Sequence, residues 1–262
     1  MSGEESLKKC SMKKTALITG ASSGIGKSIA ERFAKEGYRL VICGRNETAL
    51  SQLEEELSKQ TEVHTLSFDV RDKTAVFEQI QQLPSPFGHI DILINNAGNA
   101  HGLDLIQDGN IDDWDAMFDI NVKGLLYVSK AILPKMIERR DGHIIHIGST
   151  AAKDVYPKGN VYCASKSAVD TLNEAFRLDL NGTGVKVGAV HPGMVRTAFS
   201  EVRFKGDVER ADSMYVGYQP LLPEDVADIV HFVVSRPYHV NIADLVVFCT
   251  DQASSTLINK KF

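Results

Sequence analysis

The stretch Thr15-Ala16-Leu17-Ile18-Thr19-Gly20-Ala21-Ser22-Ser23-Gly24-Ile25-Gly26 decides the fold. Its first five residues form a short β-prone run, and a glycine-rich turn follows. Residues 26–35 then place Ile29, Ala30 and Phe33 on one side of an amphipathic helix. A strand–turn–helix unit of this kind aims backbone N–H groups and the positive end of the helix dipole at one point, which suits a pyrophosphate. Gly20, Ser22, Ser23, Gly24, Ile25 and Gly26 are the candidate contacts. The spacing is GxxxGxG rather than GxGxxG, and glycines also make ordinary tight turns. The strand before the turn and the helix after it are what favour the phosphate reading.

Outward from this unit, apolar runs recur at residues 40–43, 63–68, 90–95, 143–148, 185–190 and 245–248, with little polar alternation. Such runs are expected of strands buried on both faces. Helical patterns lie between them, notably at 47–59, 111–139, 161–180 and from Pro223 onward. The alternation predicts a single-domain α/β fold of Rossmann type: a doubly wound parallel sheet of about seven strands with helices on both faces. Residues 1–12 are expected to be flexible, 13–262 to form one catalytic domain, and 192–222 to be an insertion of the lid or binding-loop kind.

The 262 residues are 43% hydrophobic and 24% charged, with a formal net charge of −5. That balance argues against nonspecific nucleic-acid binding, and no apolar stretch approaches the roughly 18 residues of a membrane helix. Cys10, Cys43, Cys163 and Cys249 are scattered, with neither a CxxC pair nor metal-ligand spacing, so no metal is expected and a reducing, cytoplasmic setting fits. Cys163, beside Tyr162, is either a reactive thiol or a small packing residue.

The second strand ends at Gly44-Arg45. A carboxylate there would bond a ribose 2′-hydroxyl; a guanidinium pairs instead with a 2′-phosphate, which points to NADP(H). Arg45 as a solvated residue at a helix start is the plain alternative. Asp69 and Val70, after the third strand, are placed beside an adenine, although Asp69 equally suits a helix N-cap. Tyr162 and Lys166 are four apart in a helical segment and so share a face. An ammonium there is expected to lower the tyrosine's pKa from about 10 and make it a usable acid or base. Ser149, after the fifth strand, is placed to hold a substrate oxygen. Asn121 is expected to fix a local helix kink and a water that relays protons to Lys166. Each residue alone has an ordinary structural explanation; their order along the chain gives them weight.

With Asn95-Asn96-Ala97-Gly98, Pro192-Gly193 and Thr197 added, the sequence resembles the short-chain dehydrogenase/reductase family over roughly residues 13–250. The resemblance implies an enzyme with a catalytic tetrad of Asn121, Ser149, Tyr162 and Lys166. It implies that Lys166 holds the nicotinamide ribose, that Pro192 and Gly193 flank the nicotinamide with Val195 and Thr197 close by, and that Asn96, Ala97 and Gly98 support the sheet and the adenosine ribose. NADP-using members often carry a basic residue where this chain has Ser23, so the cofactor reading leans on Arg45. Residues 194–207 and 242–254 are similar to those of NADP-dependent 3-hydroxy acid dehydrogenases, which implies a small-molecule substrate such as serine or L-allo-threonine. Its carboxylate needs a cation, for which Arg203, Lys205 and Lys153 are the candidates, Arg203 first. A solvent-facing place in the lid is the alternative for Arg203. The family also implies a homo-oligomer, usually a tetramer, paired through the two long helices and the C-terminal strand region. Leu125, Leu126, Ile132, Leu172 and Phe176 are compatible with such pairing and equally with simple burial. A same-family reductase for a steroid, sugar alcohol or 3-oxoacyl thioester, and a non-catalytic nucleotide-sensing module, are the rival readings.

Overall fold

The computed structural model describes residues 13–261. Seven strands, β1 (Thr15–Thr19), β2 (Arg39–Gly44), β3 (Val63–Ser67), β4 (Ile92–Asn95), β5 (Gly142–Ile147), β6 (Val185–Pro192) and β7 (Asp244–Val247), form one sheet in the order β3-β2-β1-β4-β5-β6-β7. Every pairing is parallel. Side chains of successive strand residues point to opposite faces, so each strand feeds two cores. Ala16 and Ile18 of β1 face helices α1 (Gly24–Lys35), α2 (Glu47–Leu57) and α9 (Pro223–Val234), whereas Leu17 faces α3 (Lys73–Gln81), α5 (Leu125–Arg139) and α6 (Asn160–Asp179). This two-sided burial explains the unbroken apolar runs.

Caps set the helix starts. Asn46, Asp72 and Asn110 accept from the backbone N–H groups of Ala49, Ala75 and Asp113 at 3.0, 3.0 and 3.2 Å, opening α2, α3 and α4 (Ile111–Phe118). Asp72, not Asp69, therefore caps the helix after β3. The pattern at 111–139 does not give one helix. A π-helical turn, Asp119–Gly124, separates α4 from α5 and contains Asn121. Leu125 and Ile132 are 6% and 3% exposed, and Phe176 packs on the same core, so burial within the chain accounts for these residues.

The strand order reverses between β1 and β4, and in open α/β sheets ligands bind at such a switch point, beyond the strands' carboxyl ends. The excursion after β6 folds back over that edge. It carries two short helices, α7 (Phe199–Arg203) and α8 (Val208–Ser213). Its neck is closed by a bridge between Val195 and Leu221. No helix among the described residues is long and apolar enough to cross a membrane.

Candidate active site

A cavity of about 710 Å³ opens over the carboxyl ends of β1, β4, β5 and β6. All the catalytic and cofactor candidates except Gly26 and Asn121 line it. At its floor the chain turns sharply after β1, with Gly20 and Gly24 at φ +65° and +53°. Gly26 lies behind the turn, where an added Cβ would sit 2.3 Å from the Gly20 carbonyl oxygen. Asn96 stitches the turn to β4: its amide donates to the carbonyls of Thr19 and Gly20 at 2.9 and 3.2 Å. Ser23, the N-cap of α1, makes no side-chain cap, and no acidic residue occupies that helix's first turn. Unlike α2, α3 and α4, this helix keeps its leading N–H groups free of a side-chain cap, and they face the cavity. The fit to a phosphate rests on that cradle.

Opposite the turn, Ser149 leaves β5 and opens a 3₁₀ turn, Thr150–Ala152, its Oγ accepting the Ala151 N–H at 3.1 Å. Tyr162 stands in the first turn of α6, 8% exposed, and lines the same cavity as Ser149. One turn later Lys166 is 6% exposed and donates to the Ile147 carbonyl at 3.0 Å. Asn121 sits one layer behind. Its Oδ1 accepts the Asn99 N–H at 2.9 Å, and its Nδ2 donates to the Asn99 carbonyl at 2.9 Å and to Ser165 Oγ at 3.0 Å. Ser165 in turn donates to the Tyr162 carbonyl at 2.8 Å, linking the π-turn to the tyrosine. Position 98 is tight: a Cβ there would lie 3.0 Å from Asn121 Oδ1 and 3.4 Å from Lys166 Nζ, so the asparagine amide would have to give by a few tenths of an ångström.

The electrostatics of the protein alone differ from the sequence expectation. Burial, with the neighbouring Tyr156, pushes the Tyr162 phenol above its ordinary value, while the nearby Ser149 hydroxyl and the Arg203 guanidinium pull the other way. Burial likewise brings Lys166 down to about 8. Desolvation penalises the charged form of both groups, and that outweighs the help an ammonium one turn away gives a phenolate. Cys163, 1% exposed, has its thiol pushed up by burial and is a packing residue rather than a reactive one.

At the adenosine end, Asp69 binds Arg71 through a bidentate contact of 2.7–3.1 Å and lies 3.7 Å from Arg45. Burial works to raise its carboxyl, but Arg71 and Arg45 hold it below the usual range. Sequence reading missed Arg71, although the Asp69-Val70-Arg71 spacing carries it.

Of the three cations considered for a substrate anion, Lys153 is held by Asp170 and Asp244 at 2.8 and 2.7 Å, and Lys205 by Asp113 at 2.8 Å. Neither lines the cavity. Arg203 does line it, and it is 8% exposed rather than solvent-facing. It donates to Tyr156 Oη at 2.6 Å and to the Gly102 carbonyl at 3.2 Å, and its guanidinium lies 5.2 Å from the Tyr162 ring centre. Tyr156 was not legible in sequence. Nor was Gln252, which accepts the Met194 N–H at 2.8 Å and crowds Gly193, where a Cβ would lie 2.3 Å from its Oε1.

Comparison with known proteins gives a consistent picture. The family model described as short chain dehydrogenase matches residues 14–207. An NADP-dependent 3-hydroxy acid dehydrogenase of Salmonella typhi is 44% identical over 227 residues, 86% of this chain and 91% of the relative. Sulfoacetaldehyde reductase 2 of Chromohalobacter salexigens is 44% identical over 245 residues, covering 93% and 97%. The closed form of a serine dehydrogenase complexed with NADP+ superposes with a TM-score of 0.89 at 41% identity, covering 95% of this chain and all of that one.

Proposed function

The chain belongs to the short chain dehydrogenase family, and from that premise we propose that it moves a hydride between NADP(H) and the 3-hydroxyl or 3-oxo carbon of a small 3-hydroxy acid such as serine or L-allo-threonine. The observation that carries this reading is the convergence of Ser149, Tyr162 and Lys166 in one cavity with a buried guanidinium, Arg203, beside the tyrosine. NADP(H), when bound, supplies or accepts the hydride. The turn Gly20–Gly26 cradles its phosphates, with Asn96, Ala97 and Gly98 supporting that turn. Arg45 and Arg71 take the 2′-phosphate, and Asp69 and Val70 border the adenine. Lys166 holds the nicotinamide ribose; Pro192, Gly193, Val195 and Thr197 border the nicotinamide. For oxidation, Ser149 orients the substrate oxygen and Tyr162 takes the hydroxyl proton; for reduction Tyr162 gives it back. Asn121 fixes the π-turn behind them. Arg203 pairs with the substrate carboxylate, often the task of a bidentate guanidinium. The segment 192–222 serves as the lid.

A sulfonate would meet the same guanidinium, so an anionic aldehyde of the kind named for the Chromohalobacter relative is the second reading. The decisive measurement is the initial rate with NADP+ and serine, L-allo-threonine and 3-hydroxybutyrate, and with NADPH and sulfoacetaldehyde, each repeated with the non-phosphorylated cofactor. Turnover of the hydroxy acids with NADP+ preferred supports the reading; turnover confined to uncharged alcohols would reject the role of Arg203. We place the enzyme in the cytoplasm as a homotetramer. Ile137, Leu178 and Val246, which are 40%, 68% and 44% exposed on α5, α6 and β7, supply apolar contact surface; light scattering of the purified protein tests this.

A further inference from the structure

His191, the penultimate residue of β6, is 0% exposed and lies directly beneath the start of the Ser149 segment. Its Nδ1 is 3.3 Å from the Ser149 carbonyl oxygen. Its Nε2 is 2.8 Å from Asp244 Oδ1 and 3.4 Å from Asp170 Oδ1. Lys153 completes the group, its ammonium 2.8 Å from Asp170 and 2.7 Å from Asp244. Each member comes from a different element of the site. Lys153 ends the turn that Ser149 opens, Asp170 lies one turn beyond Lys166 on α6, His191 precedes Pro192-Gly193, and Asp244 begins β7. The backbone at Gly148 is fitted to the ring, since a Cβ there would lie 2.3 Å from His191 Nδ1.

We propose that His191 is a positioning residue: it seats the Ser149 segment against Tyr162, and Lys153, Asp170 and Asp244 bracket it in place. Nδ1 has the Ser149 carbonyl as its acceptor, whereas Nε2 lies against the Asp244 and Asp170 carboxylates at ion-pair distance without hydrogen-bond alignment. An apolar side chain there would leave the Ser149 carbonyl without that donor, remove the imidazole from between the carboxylates, and free the segment to shift. Ser149 and Tyr162 line the same cavity, so a small displacement of the segment changes the geometry of proton transfer between them and a substrate. The phosphate turn and the adenosine end share no residue with the bracket, so cofactor affinity is separable from it. Asp170, His191 and Asp244 also converge closely enough to suggest a metal site. The Lys153 ammonium already occupies the cation position between the two carboxylates, which favours a bracket over an ion.

The proposal rests on the oxidoreductase reading, and one set of variants separates the two. In His191→Leu, kcat falls at least ten-fold while the NADPH dissociation constant, read by nucleotide fluorescence, stays within two-fold. In His191→Asn, whose amide N–H reaches the place of Nδ1–H, kcat returns to within three-fold of the parent. Asp244→Asn, a milder change at a half-exposed side chain, lowers kcat three- to ten-fold and decides the matter if the leucine variant does not fold. An unchanged kcat in the leucine variant, a parallel loss of NADPH binding, or no rescue by asparagine each overturns the proposal. So does a rise in melting temperature with added Mn2+ that His191→Leu abolishes, which would make the cluster a metal site. If instead Tyr162→Phe retains turnover, the enzymatic reading itself fails, whatever His191 does.

Discussion

At Tyr162 and Lys166 the protein has buried two ionisable groups side by side, and burial acts on them in opposite directions. Lys166, at about 8, sits below its ordinary range. The sign follows from linkage: the unfolded chain takes up this proton near pH 10.4 and the folded chain only near 8. Stability is thus lost as pH falls between those values and stays lost below them. The cost below pH 8 is on the order of 3 kcal/mol. Lys166→Met should therefore raise Tm by several degrees at pH 7 while reducing turnover by at least a hundred-fold, as calorimetry and steady-state rates would show. A fall in Tm would mean that the bond to the Ile147 carbonyl outweighs desolvation. Tyr162 is raised, chiefly by its burial. On the proposed mechanism reduction needs the phenol, which is present at neutral pH, so its rate should stay nearly flat from pH 6 to 8. Oxidation needs the phenolate, so its kcat/KM should climb toward ten-fold per pH unit over the same range. A pH-independent oxidation would remove Tyr162 as the proton acceptor.

At the scale of elements, the π-turn between α4 and α5 shows how one side chain shapes a local fold. Asn121, 2% exposed, satisfies both the N–H and the C=O of Asn99 and reaches Ser165. Asn121→Ala leaves those buried groups without partners and should cost about 2–4 kcal/mol in urea unfolding. It should also lower activity, because Ser165 no longer fixes the Tyr162 turn. The sequence signalled a kink here, but its pattern ran through 111–139 as one helix, because the π-turn stays helical and neither a proline nor a side-chain cap marks the junction between α4 and α5. The strands were legible for the opposite reason: burial on both faces writes a local run that needs no partner to be recognised. The Ser-Tyr-Lys group and glycine turn were legible as spacings. Tyr156, 47 residues from Arg203, and Gln252, 58 residues from Met194, were not, since only the folded excursion brings them to the cavity. Nor could charge alone tell Arg203, buried in the cavity, from Lys153 and Lys205, each engaged by a carboxylate elsewhere.

Across the whole molecule, the cavity runs along the sheet edge from the tips of β2 and β3 to the ends of β5 and β6 and touches nearly every loop on that side. A cofactor spanning it joins segments that the sheet alone holds only at their bases, so binding should stabilise the fold as a unit. At a concentration one hundred times its Kd, NADPH should contribute about 2.7 kcal/mol, which for a chain of this size corresponds to roughly 5–10 °C in Tm. We propose that the adenosine end sets the selectivity. Arg45 and Arg71 both lie on Asp69, so a 2′-phosphate arriving there meets two guanidinium groups while the Asp69 carboxylate opposes it. NADH gains nothing from the pair. At equal concentration NADPH should therefore shift Tm well beyond NADH, and Arg45→Ser with Arg71→Ser should narrow the gap by lowering only the NADPH shift. The single variants divide that loss between the two residues, because Arg71 is the more tightly engaged with Asp69 and Arg45 the more exposed, at 60% of its side chain. Equal shifts for the two nucleotides in the parent protein would show that neither guanidinium reads the 2′-phosphate, and the selectivity would then have to be sought in the glycine turn.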